Sequence, residues 1–406
     1  MTLRRGLLLA AALGAAAAGA AEEGWSTRWD GVLYAYSEGY ARQGGSVLNP
    51  GNRIARIPRR QDTAEGRFNF KLEGEDLRLS ARPILGIRQS EGDGSGPSHQ
   101  GYLSQWQGQL RLGQHWRLTG GRDLLTWGPA QFRSPANPFY FDNGRSNPLR
   151  ELSGMDSAGL SWTPDRQNAL HVAHIVGSGH AAPDPDPWHD AWLARFEHRG
   201  EAWAGGLAVA RPAGRGAFLG AHGQVTASDA LLAYGEIGSS TRSRALQSPA
   251  DPAQPFALGE ESPRRTNALV GAQYTFDNGQ SLSGEYLHHG HGFTAGEARS
   301  YFARAADPAA PQAAAMALGY APPLLGRRYL HLVWQNSTWD EDGYWRLMVS
   351  RNLDDGSSEL AGYAEAVLSR RVTAFALGTL TAGGARAEFS SLLAHSLSIG
   401  VKVALP

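Results

Sequence analysis

Residues 396–405 read Ser396-Leu397-Ser398-Ile399-Gly400-Val401-Lys402-Val403-Ala404-Leu405, and this stretch decides the fold. Every second residue is a large aliphatic, and the residues between them are small or polar. A side-chain period of two is that of a β-strand, in which alternate residues face opposite sides of a sheet. A wholly apolar face opposite a small, polar face is typical of a strand that has lipid on one side and water on the other.

The same alternation recurs along the chain. Aromatic and aliphatic residues take every second position, and polar or small residues occupy most of the positions between them. Repeated stretches of this kind, separated by turn residues, are typical of a membrane barrel. The apolar sets are Phe68, Phe70 and Leu72; Trp106, Leu110 and Leu112; Ala268, Val270, Ala272, Tyr274 and Phe276; Leu330, Leu332 and Trp334; and Trp345, Leu347 and Val349.

The connections between these stretches are of two kinds, which alternate without a break. Short turns, such as those near 113–115 and 369–371, alternate with longer links, such as 128–154 and 290–326. The sequence therefore predicts an all-β, transmembrane antiparallel β-barrel of about 18 strands (16–18), with short periplasmic turns and long extracellular loops. A soluble β-sandwich or propeller shares the period of two, but the repeat of about 40–50 residues that a propeller needs is absent. The alanine-rich stretch 313–318 predicts one or two helical turns in the longest link.

The amino-acid composition limits the functional classes to which the chain can belong. The 406 residues include 51 glycines, no cysteine, and 38 acidic and 38 basic residues, so the net charge is zero. A neutral chain lacks the basic footprint of a nucleic-acid-binding protein, and a closed barrel needs no disulfides because its strand ladder is continuous. The mean hydropathy of −0.36 suits a barrel, since the water-facing half of each strand dilutes the apolar half. Nothing in the sequence implies a cofactor.

The N-terminus has the layout of a secretory signal peptide. Arg4 and Arg5 precede the apolar run 7–18, and small residues follow it. This order predicts export and cleavage; a membrane anchor is the alternative, but the run is short for a spanning helix. The sequence thus predicts a signal peptide at 1–21 and an outer-membrane β-barrel at 22–406.

The most distinctive segment is 121–156. It begins Gly121-Arg122-Asp123-Leu124-Leu125-Thr126-Trp127-Gly128-Pro129, continues through Ser134-Pro135-Ala136-Asn137-Pro138-Phe139, and closes with Arg145, Pro148, Arg150-Glu151-Leu152 and Gly154-Met155-Asp156. This segment resembles uncharacterised outer-membrane porin-like proteins and, more distantly, the alginate-export type of porin. The resemblance is sharp over this segment; elsewhere it is one of general barrel architecture, with a loose likeness at Gly284-Glu285-Tyr286-Leu287, Gly290 and Gly292. It implies a barrel that encloses a pore.

Opposed charges in the same segment predict a pore constriction. If the loop after Trp127 folds inward, its basic and acidic side chains face each other across a narrow lumen, where their field filters solutes by charge and shape. The alternative is structural, because Arg–carboxylate pairs also fix a loop to strands; one set of pairs can do both. The predicted constriction residues are Arg122, Asp123, Arg133, Asp142, Arg145, Arg150, Glu151 and Asp156.

The phase of the strands predicts a basic lumen wall. Arginine offers paired donors to carboxylate, phosphate and sulfate, so such a wall indicates an anion-leaning channel; buried ion pairs that stiffen the wall are the alternative. One slip in register exchanges the two faces, and Gly120-Gly121 predicts such an irregularity. The predicted inward bases are Arg67, Lys71, Arg78, Arg82, Arg111, Arg117, Arg195 and Arg346, against the fewer inward acids Glu197, Glu285 and Glu365.

Two polar clusters are weak metal candidates. His288, His289 and His291 sit at a strand end, and histidine binds transition metals; in a strand, however, only the second and third share a face. The acidic loop Asp184–Asp190 lacks the spacing of a calcium-binding EF-hand loop. The sequence therefore predicts no metal site.

The function that these patterns predict is an outer-membrane pore rather than an enzyme. It is expected to pass small hydrophilic solutes, anionic ones among them, or an acidic polysaccharide by passive diffusion. A plugged or narrow barrel with a structural or polysaccharide-binding role is the alternative. An enzyme would need a nucleophile with a supporting base, and no Gly-x-Ser-x-Gly motif is present. The expected partners are outer-membrane lipid, lipopolysaccharide and the barrel-assembly machinery; the oligomeric state and the solute are left open.

Overall fold

The structure, a computed structural model, describes residues 24–92, 96–181, 183, 186–310, 312–337 and 342–406. The predicted signal peptide and Asp184 lie outside the described residues. The strands are β1 (Ser26–Arg42), β2 (Arg60–Glu73), β3 (Leu77–Glu91), β4 (Gly96–Leu112), β5 (Trp116–Asp123), β6 (Met155–Trp162), β7 (Asn168–Gly177), β8 (Ala191–Arg199), β9 (Trp203–Pro212), β10 (Phe218–Thr226), β11 (Leu231–Ser240), β12 (Ser243–Gln247), β13 (Ala257–Glu261), β14 (Arg265–Thr275), β15 (Ser281–His289), β16 (Arg328–Gln335), β17 (Gly343–Asn352), β18 (Ser358–Val367), β19 (Val372–Ala382) and β20 (Leu393–Leu405). The helices are α1 (Ala295–Ala305) and α2 (Gln312–Tyr320), and short 3-10 turns occur at Pro50–Asn52 and Gly179–Ala181.

One closed antiparallel sheet of 18 strands forms the body of the molecule. Each strand pairs with the next along the chain, β11 pairs with β14, and β20 returns to β1 with Tyr34 opposite Lys402. Of the strands in the described part of the chain, only β12 and β13 lie outside this sheet, where they form a hairpin. Because closure leaves no strand edge, the sheet meets the requirement that every backbone polar group be paired in lipid. The predicted antiparallel barrel of about 18 strands is confirmed.

The two ends of the barrel differ. At one end, here called the turn end, the strands are joined by the short segments 74–76, 113–115, 163–167, 200–202, 227–230, 276–280, 336–342 and 368–371. The opposite end, here called the loop end, carries the long segments 43–59, 124–154, 178–190, 241–264, 290–327 and 383–392, together with shorter connections. Short and long connections alternate along the chain because consecutive strands run in opposite directions, so successive connections lie at opposite ends of the barrel.

The outer surface of the barrel is apolar. In β20, the side chain of Ile399 is 57% exposed, whereas its neighbour Ser398, which faces inward, is 3% exposed. Tryptophans such as Trp116 and Trp192 are also exposed on this surface. A continuous apolar exterior around a closed sheet is the surface of a membrane-spanning barrel. Among the described residues, no helix has the length and apolar character required to cross a membrane.

A domain-like cover, here called the cap, lies over the loop end. It consists of residues 43–59, the hairpin segment 241–264, the helical segment 290–327 and residues 383–392. Its own apolar core joins all four segments, with Leu48, Leu246, Phe293, Tyr301 and Phe302 buried together and Leu392 packed against them. Helix α1 begins with a capping box, in which Thr294 and Glu297 satisfy each other's backbone N–H groups.

Candidate functional site

The segment 124–154, here called the lumen loop, leaves β5 at the loop end, crosses the lumen and returns to β6. Its prolines cannot donate to the hydrogen-bond ladder of a central strand. Asn137 instead builds a local turn, since its side chain accepts from the N–H groups of Phe139 and Tyr140 and donates to the carbonyl of Leu125. The exit from β5 is marked by Gly121, which has φ +136° and leaves no room for a Cβ against the carbonyl of Trp106.

An ion pair closes the base of the lumen loop. The guanidinium of Arg122 makes a bidentate contact with Asp156, with Nε–Oδ1 and Nη2–Oδ2 distances of 2.7 and 2.8 Å, and its Nη1 donates to the carbonyl of Leu103 at 3.0 Å. Asp123 accepts from the side chain of Gln107 at 2.8 Å. Arg122, Asp123 and Asp156 therefore tie the facing ends of β4, β5 and β6 together, and their charges are matched locally.

Apolar contacts carry the lumen loop across the barrel. Trp127 and Tyr140 pack with Ile175 and Leu193 on the inner wall formed by β7 to β10. On the far side, the ring of Phe132 stacks on His331 of β16 with a centroid distance of 4.7 Å. The loop therefore reaches the wall opposite its own origin, so it narrows the lumen.

Two wall carboxylates hold the loop backbone. Glu236 of β11 accepts from the N–H of Ala130 at 2.9 Å, from the hydroxyl of Ser134 at 2.6 Å and from the N–H of Ala136 at 3.1 Å. Glu285 of β15 accepts from the N–H of Gln131 at 2.5 Å and from the hydroxyl of Tyr234 at 2.9 Å. Both carboxylates are almost fully buried. These bonds supply partners for Glu236 and for Oε1 of Glu285, whereas Oε2 of Glu285 makes no hydrogen bond to the described residues.

The other predicted constriction charges form two groups. In the first, Asp142 lies 3.2 Å from Arg133 and 2.6 Å from Arg150. Arg145, beside this group, donates to the carbonyls of Pro129 and Ala130. The guanidinium of Arg150 is about half exposed, so the group presents positive charge to the lumen.

The second group centres on Glu151. Its carboxylate accepts from Arg82 Nε at 2.8 Å, from Arg67 Nη1 at 3.3 Å and from the hydroxyl of Ser104 at 3.1 Å. Arg67 is itself paired with Glu65 at 2.6 Å and lies over the ring of Tyr34 at 4.6 Å. This network joins β2, β3 and β4 to the end of the lumen loop.

All eight residues of the predicted basic wall occupy inward positions of their strands, but their surroundings differ. Arg67 and Arg82 are neutralised by acids, Arg195 lies over Trp127 at 5.0 Å, and Arg346 donates to the carbonyl of Arg145. Arg78 pairs with Glu73 near the turn end. Lys71, Arg111 and Arg117 are exposed towards the turn end, and their side chains make no hydrogen bond or ion pair with the described part of the chain.

Sequence reasoning missed two inward acids that matter. Glu65 and Glu236 are both buried on the inner face of the barrel. Glu65 neutralises Arg67, and Glu236 accepts a hydrogen bond from Ser134 of the lumen loop. Both could have been found from strand phase: Glu65 shares its face with Arg67, and Glu236 alternates with the outward Ile237. The wall is therefore more nearly balanced in charge than the count of arginines indicated.

An open cavity of about 340 Å³ adjoins the lumen loop. Arg82 and Gln105 line it from the wall, and Arg145, Arg150 and Glu151 line it from the loop. A water-accessible space bordered by these charges is where a passing solute meets the predicted constriction. The structure thus brings Arg145, Arg150 and Glu151 together and keeps Arg122, Asp123 and Asp156 at the base of the loop.

The histidine cluster does not form a metal site. Among the described residues, no group of three or more His, Asp or Glu side chains is arranged to hold a metal. His289 is buried against Phe141, and burial together with Arg242 and Arg265 lowers the pKa of His291 to about 4. In the acidic loop, Asp186 accepts from Ser178 and Trp188, so it forms a local turn.

Two solved structures share this fold along nearly the whole chain. OccK11 (OpdR) of Pseudomonas aeruginosa is 13% identical, with a TM-score of 0.57 over 94% of this chain and 96% of that one. OccAB1 of Acinetobacter baumannii is 9% identical, with a TM-score of 0.59 over 94% and 97%. At these identities the likeness is one of fold. The resemblance to alginate-export porins stays a prediction.

No protein-family model matches the chain, and neither does any curated protein sequence.

Proposed function

We propose that the chain is an outer-membrane pore that passes small hydrophilic solutes by passive diffusion. The loop end faces the outside of the cell and the turn end faces the periplasm, as long loops and short turns do in barrels of this kind. Lipid and lipopolysaccharide surround the apolar exterior, and the barrel-assembly machinery inserts the chain. The likeness of fold to OccK11 and OccAB1 supports this assignment.

One observation carries the proposal: the inner wall of β2 to β5 stays polar and accessible to water. Gln107 and Gln109 are partly exposed there, and Lys71, Arg111 and Arg117 are exposed. A barrel whose interior served only as a packed core would bury apolar side chains at these positions. Charged side chains without partners are stable when water reaches them.

The charges next to the cavity favour small anions. Arg145 and Arg150 line it from the loop, and the paired Arg82 and Glu151 line it at the contact between wall and loop. Glu151 is already shared between Arg67 and Arg82, so it contributes little negative potential to the passage. A positive surplus in a narrow, weakly screened space raises the local concentration of anions.

A narrow or closed barrel is the second candidate, and specific contacts favour it. The lumen loop touches the wall opposite its origin through Phe132. Glu388 of the cap accepts from the N–H of Leu325 in another cap segment and, on the barrel wall, from the side chains of Tyr329 and Asn352. A barrel held shut by these contacts would have a structural or polysaccharide-binding role.

Single-channel recording separates the two candidates. The purified, refolded protein is reconstituted in a planar bilayer, and its conductance and its reversal potential under a potassium chloride gradient are measured. A stable conductance with a reversal potential on the anion-selective side supports the pore. Conductance without a preference for anions rejects the proposed anion selectivity but keeps the proposed pore. Folded protein that never conducts rejects the pore and favours the closed barrel.

A further inference from the structure

A second cavity lies within the cap, apart from the lumen loop. It has a volume of about 350 Å³ and lies between the hairpin segment, the start of β14 and the segment that leads into α1. Its polar lining includes Arg242, Arg265, Arg327, His291, Glu297 and Ser262. None of these residues takes part in holding the lumen loop, so the cavity needs an explanation of its own.

Arg242 is fixed at the cavity without an acidic partner. Its backbone N–H donates to the hydroxyl of Ser262 at 3.0 Å, and Ser262 returns a backbone bond to Arg242 at 2.8 Å. The guanidinium donates to the carbonyl of Ala321 at 3.2 Å. No carboxylate among the described residues lies within ion-pair distance of it, and burial lowers the pKa of Arg242 to about 10.

The other cations of the cavity are also poorly neutralised. Arg265 makes no side-chain hydrogen bond or ion pair within the described ranges of the chain. Arg327 donates to the carbonyl of Gly292 at 2.9 Å, and its Nη2 is 3.6 Å from Glu297. Glu297 is already engaged, because it accepts the backbone N–H of Thr294 at 2.6 Å in the capping box of α1.

Three guanidinium groups therefore face one carboxylate in a partly enclosed space. Arg265 is exposed and Arg327 is partly exposed, so water still reaches both. Arg242 loses water without gaining an anion, which is costly, and an added anion would reduce that cost. Guanidinium groups bind phosphate through paired N–H···O bonds that match its geometry. His291, neutral at pH 7, can donate a further hydrogen bond. The surplus of charge fits a doubly charged phosphate group better than a single carboxylate.

We propose that this cavity binds the phosphate group of a small soluble phosphomonoester. Its volume lies near the lower limit of small-molecule sites, which are about 300–1,000 Å³, so it accommodates the phosphate and a small attached group. The proposal goes beyond the pore function and does not require conduction, because the cavity belongs to the cap and not to the passage beside the lumen loop.

Calorimetric titration of the refolded protein in a neutral detergent tests the proposal. Inorganic phosphate and glucose 6-phosphate are titrated at low chloride, with glucose as the uncharged control. Saturable binding of both phosphates, without binding of glucose, is expected. Arg242→Gln and Arg265→Gln should each weaken phosphate binding about tenfold, as the loss of a charged hydrogen bond predicts. Arg299→Gln, an exposed arginine of α1 outside the cavity, should leave it unchanged.

Three outcomes would overturn the proposal. Wild-type protein that does not bind phosphate rejects the site, and an equal loss in Arg299→Gln assigns the binding to general charge. Displacement of glucose 6-phosphate by phosphatidic acid, but not by phosphatidylcholine, assigns the site to a lipid headgroup and rejects the soluble ligand. Conductance is recorded on the same preparations, so a protein that binds phosphate without conducting keeps this inference while losing the pore.

Discussion

Glu236 accepts a hydrogen bond from the hydroxyl of Ser134 at 2.6 Å, although the two residues lie 102 positions apart in the chain. The same carboxylate also accepts the backbone N–H groups of Ala130 and Ala136. Three donors from one loop thus converge on one residue of the wall. This convergence holds the lumen loop across the barrel and thereby sets the width of the passage beside it.

Replacement of Glu236 should release the loop. Glu236→Ala removes all three acceptor contacts and leaves buried donors unpaired, so we expect the free energy of unfolding to fall by about 3 kcal/mol or more. Glu236→Gln keeps one acceptor oxygen and should cost less. Urea unfolding in detergent measures the stability, and single-channel recording should show a larger or noisier open current for Glu236→Ala.

Glu359 provides the matched control for that experiment. It is an inward carboxylate of β18 that lies near the charges of Arg133 and Asp142 but makes no hydrogen bond to the lumen loop among the described residues. Glu359→Ala should therefore leave both the current noise and the stability close to the wild-type values. Equal effects of the two substitutions would mean that loss of any lumen carboxylate loosens the barrel, which would contradict the specific role of Glu236.

Gly128 should tolerate no side chain. It has φ +88°, a conformation that L-residues rarely adopt, and an added Cβ would collide with the carboxylate of Glu236. We expect Gly128→Ala to lower the free energy of unfolding by about 1–3 kcal/mol and to displace the lumen loop. Gly120→Ala, in β5 with open space around its Cβ position, should have a small effect. Comparable losses in the two variants would refute the steric argument.

The barrel could be predicted from sequence because lipid imposes a strict pattern on one face of each strand. Leu397 and Ile399 face lipid and must be apolar, whereas Ser398 between them faces inward. The sequence therefore indicates both the side-chain period of two and which residues face outward. The hairpin β12–β13 is not predicted by this pattern, since its short strands lie outside the barrel sheet and carry no such alternation. Helix α2 was partly anticipated from its alanines.

The contacts of the lumen loop were beyond sequence reasoning for a different reason. A period of two predicts which residues face inward, but not which distant residue each one meets. Glu236 and Ala130 are 106 positions apart, and their contact depends on the closure of the whole sheet. The capping box of Thr294 and Glu297, by contrast, has a recognisable local spacing and could have located the start of α1.

Glu151 should control ion selectivity. Glu151→Gln removes the negative charge shared by Arg67 and Arg82 and leaves both guanidinium groups less neutralised beside the cavity. We expect the reversal potential in a potassium chloride gradient to shift towards stronger anion selectivity. Glu201→Gln, in an exposed turn at the turn end, should not shift it. If the reversal potential of Glu151→Gln does not change, or moves towards cation selectivity, the conducting path lies elsewhere in the lumen.

His291 should resist protonation at mildly acidic pH. Burial, with the nearby charges of Arg242 and Arg265, lowers its pKa from 6.5 to about 4. A base whose pKa is lowered in the folded state contributes full stability above the unfolded pKa, and the contribution declines as pH falls from about 6.5 towards 4. NMR of ¹³C-labelled histidine, with His291→Gln to identify the signal, should show no titration between pH 7.5 and 5.5. A midpoint near 6.5 would contradict the prediction.

Arg304 should hold the hairpin segment against α1. Its guanidinium donates to the carbonyls of Pro249 and Asp251, to the carbonyl of Gln254 and to the hydroxyl of Ser248. These are the groups of a turn that has no strand partners of its own. Arg304→Ala leaves the buried hydroxyl of Ser248 and three partly buried carbonyls without this donor. The loss of the buried contact alone costs about 1–3 kcal/mol, so this turn should open locally while the barrel remains intact.

Limited proteolysis with proteinase K, read by mass spectrometry, measures that opening. Cleavage within 248–256 should be faster in Arg304→Ala than in the wild type. Arg299→Ala changes the same charge on an exposed face of the same helix and should leave the rate unchanged. If both variants are cut at the wild-type rate, the apolar core of the cap around Tyr301 and Phe302 holds the turn without Arg304. If both are cut faster, α1 itself has been weakened and the role of the guanidinium is not specific.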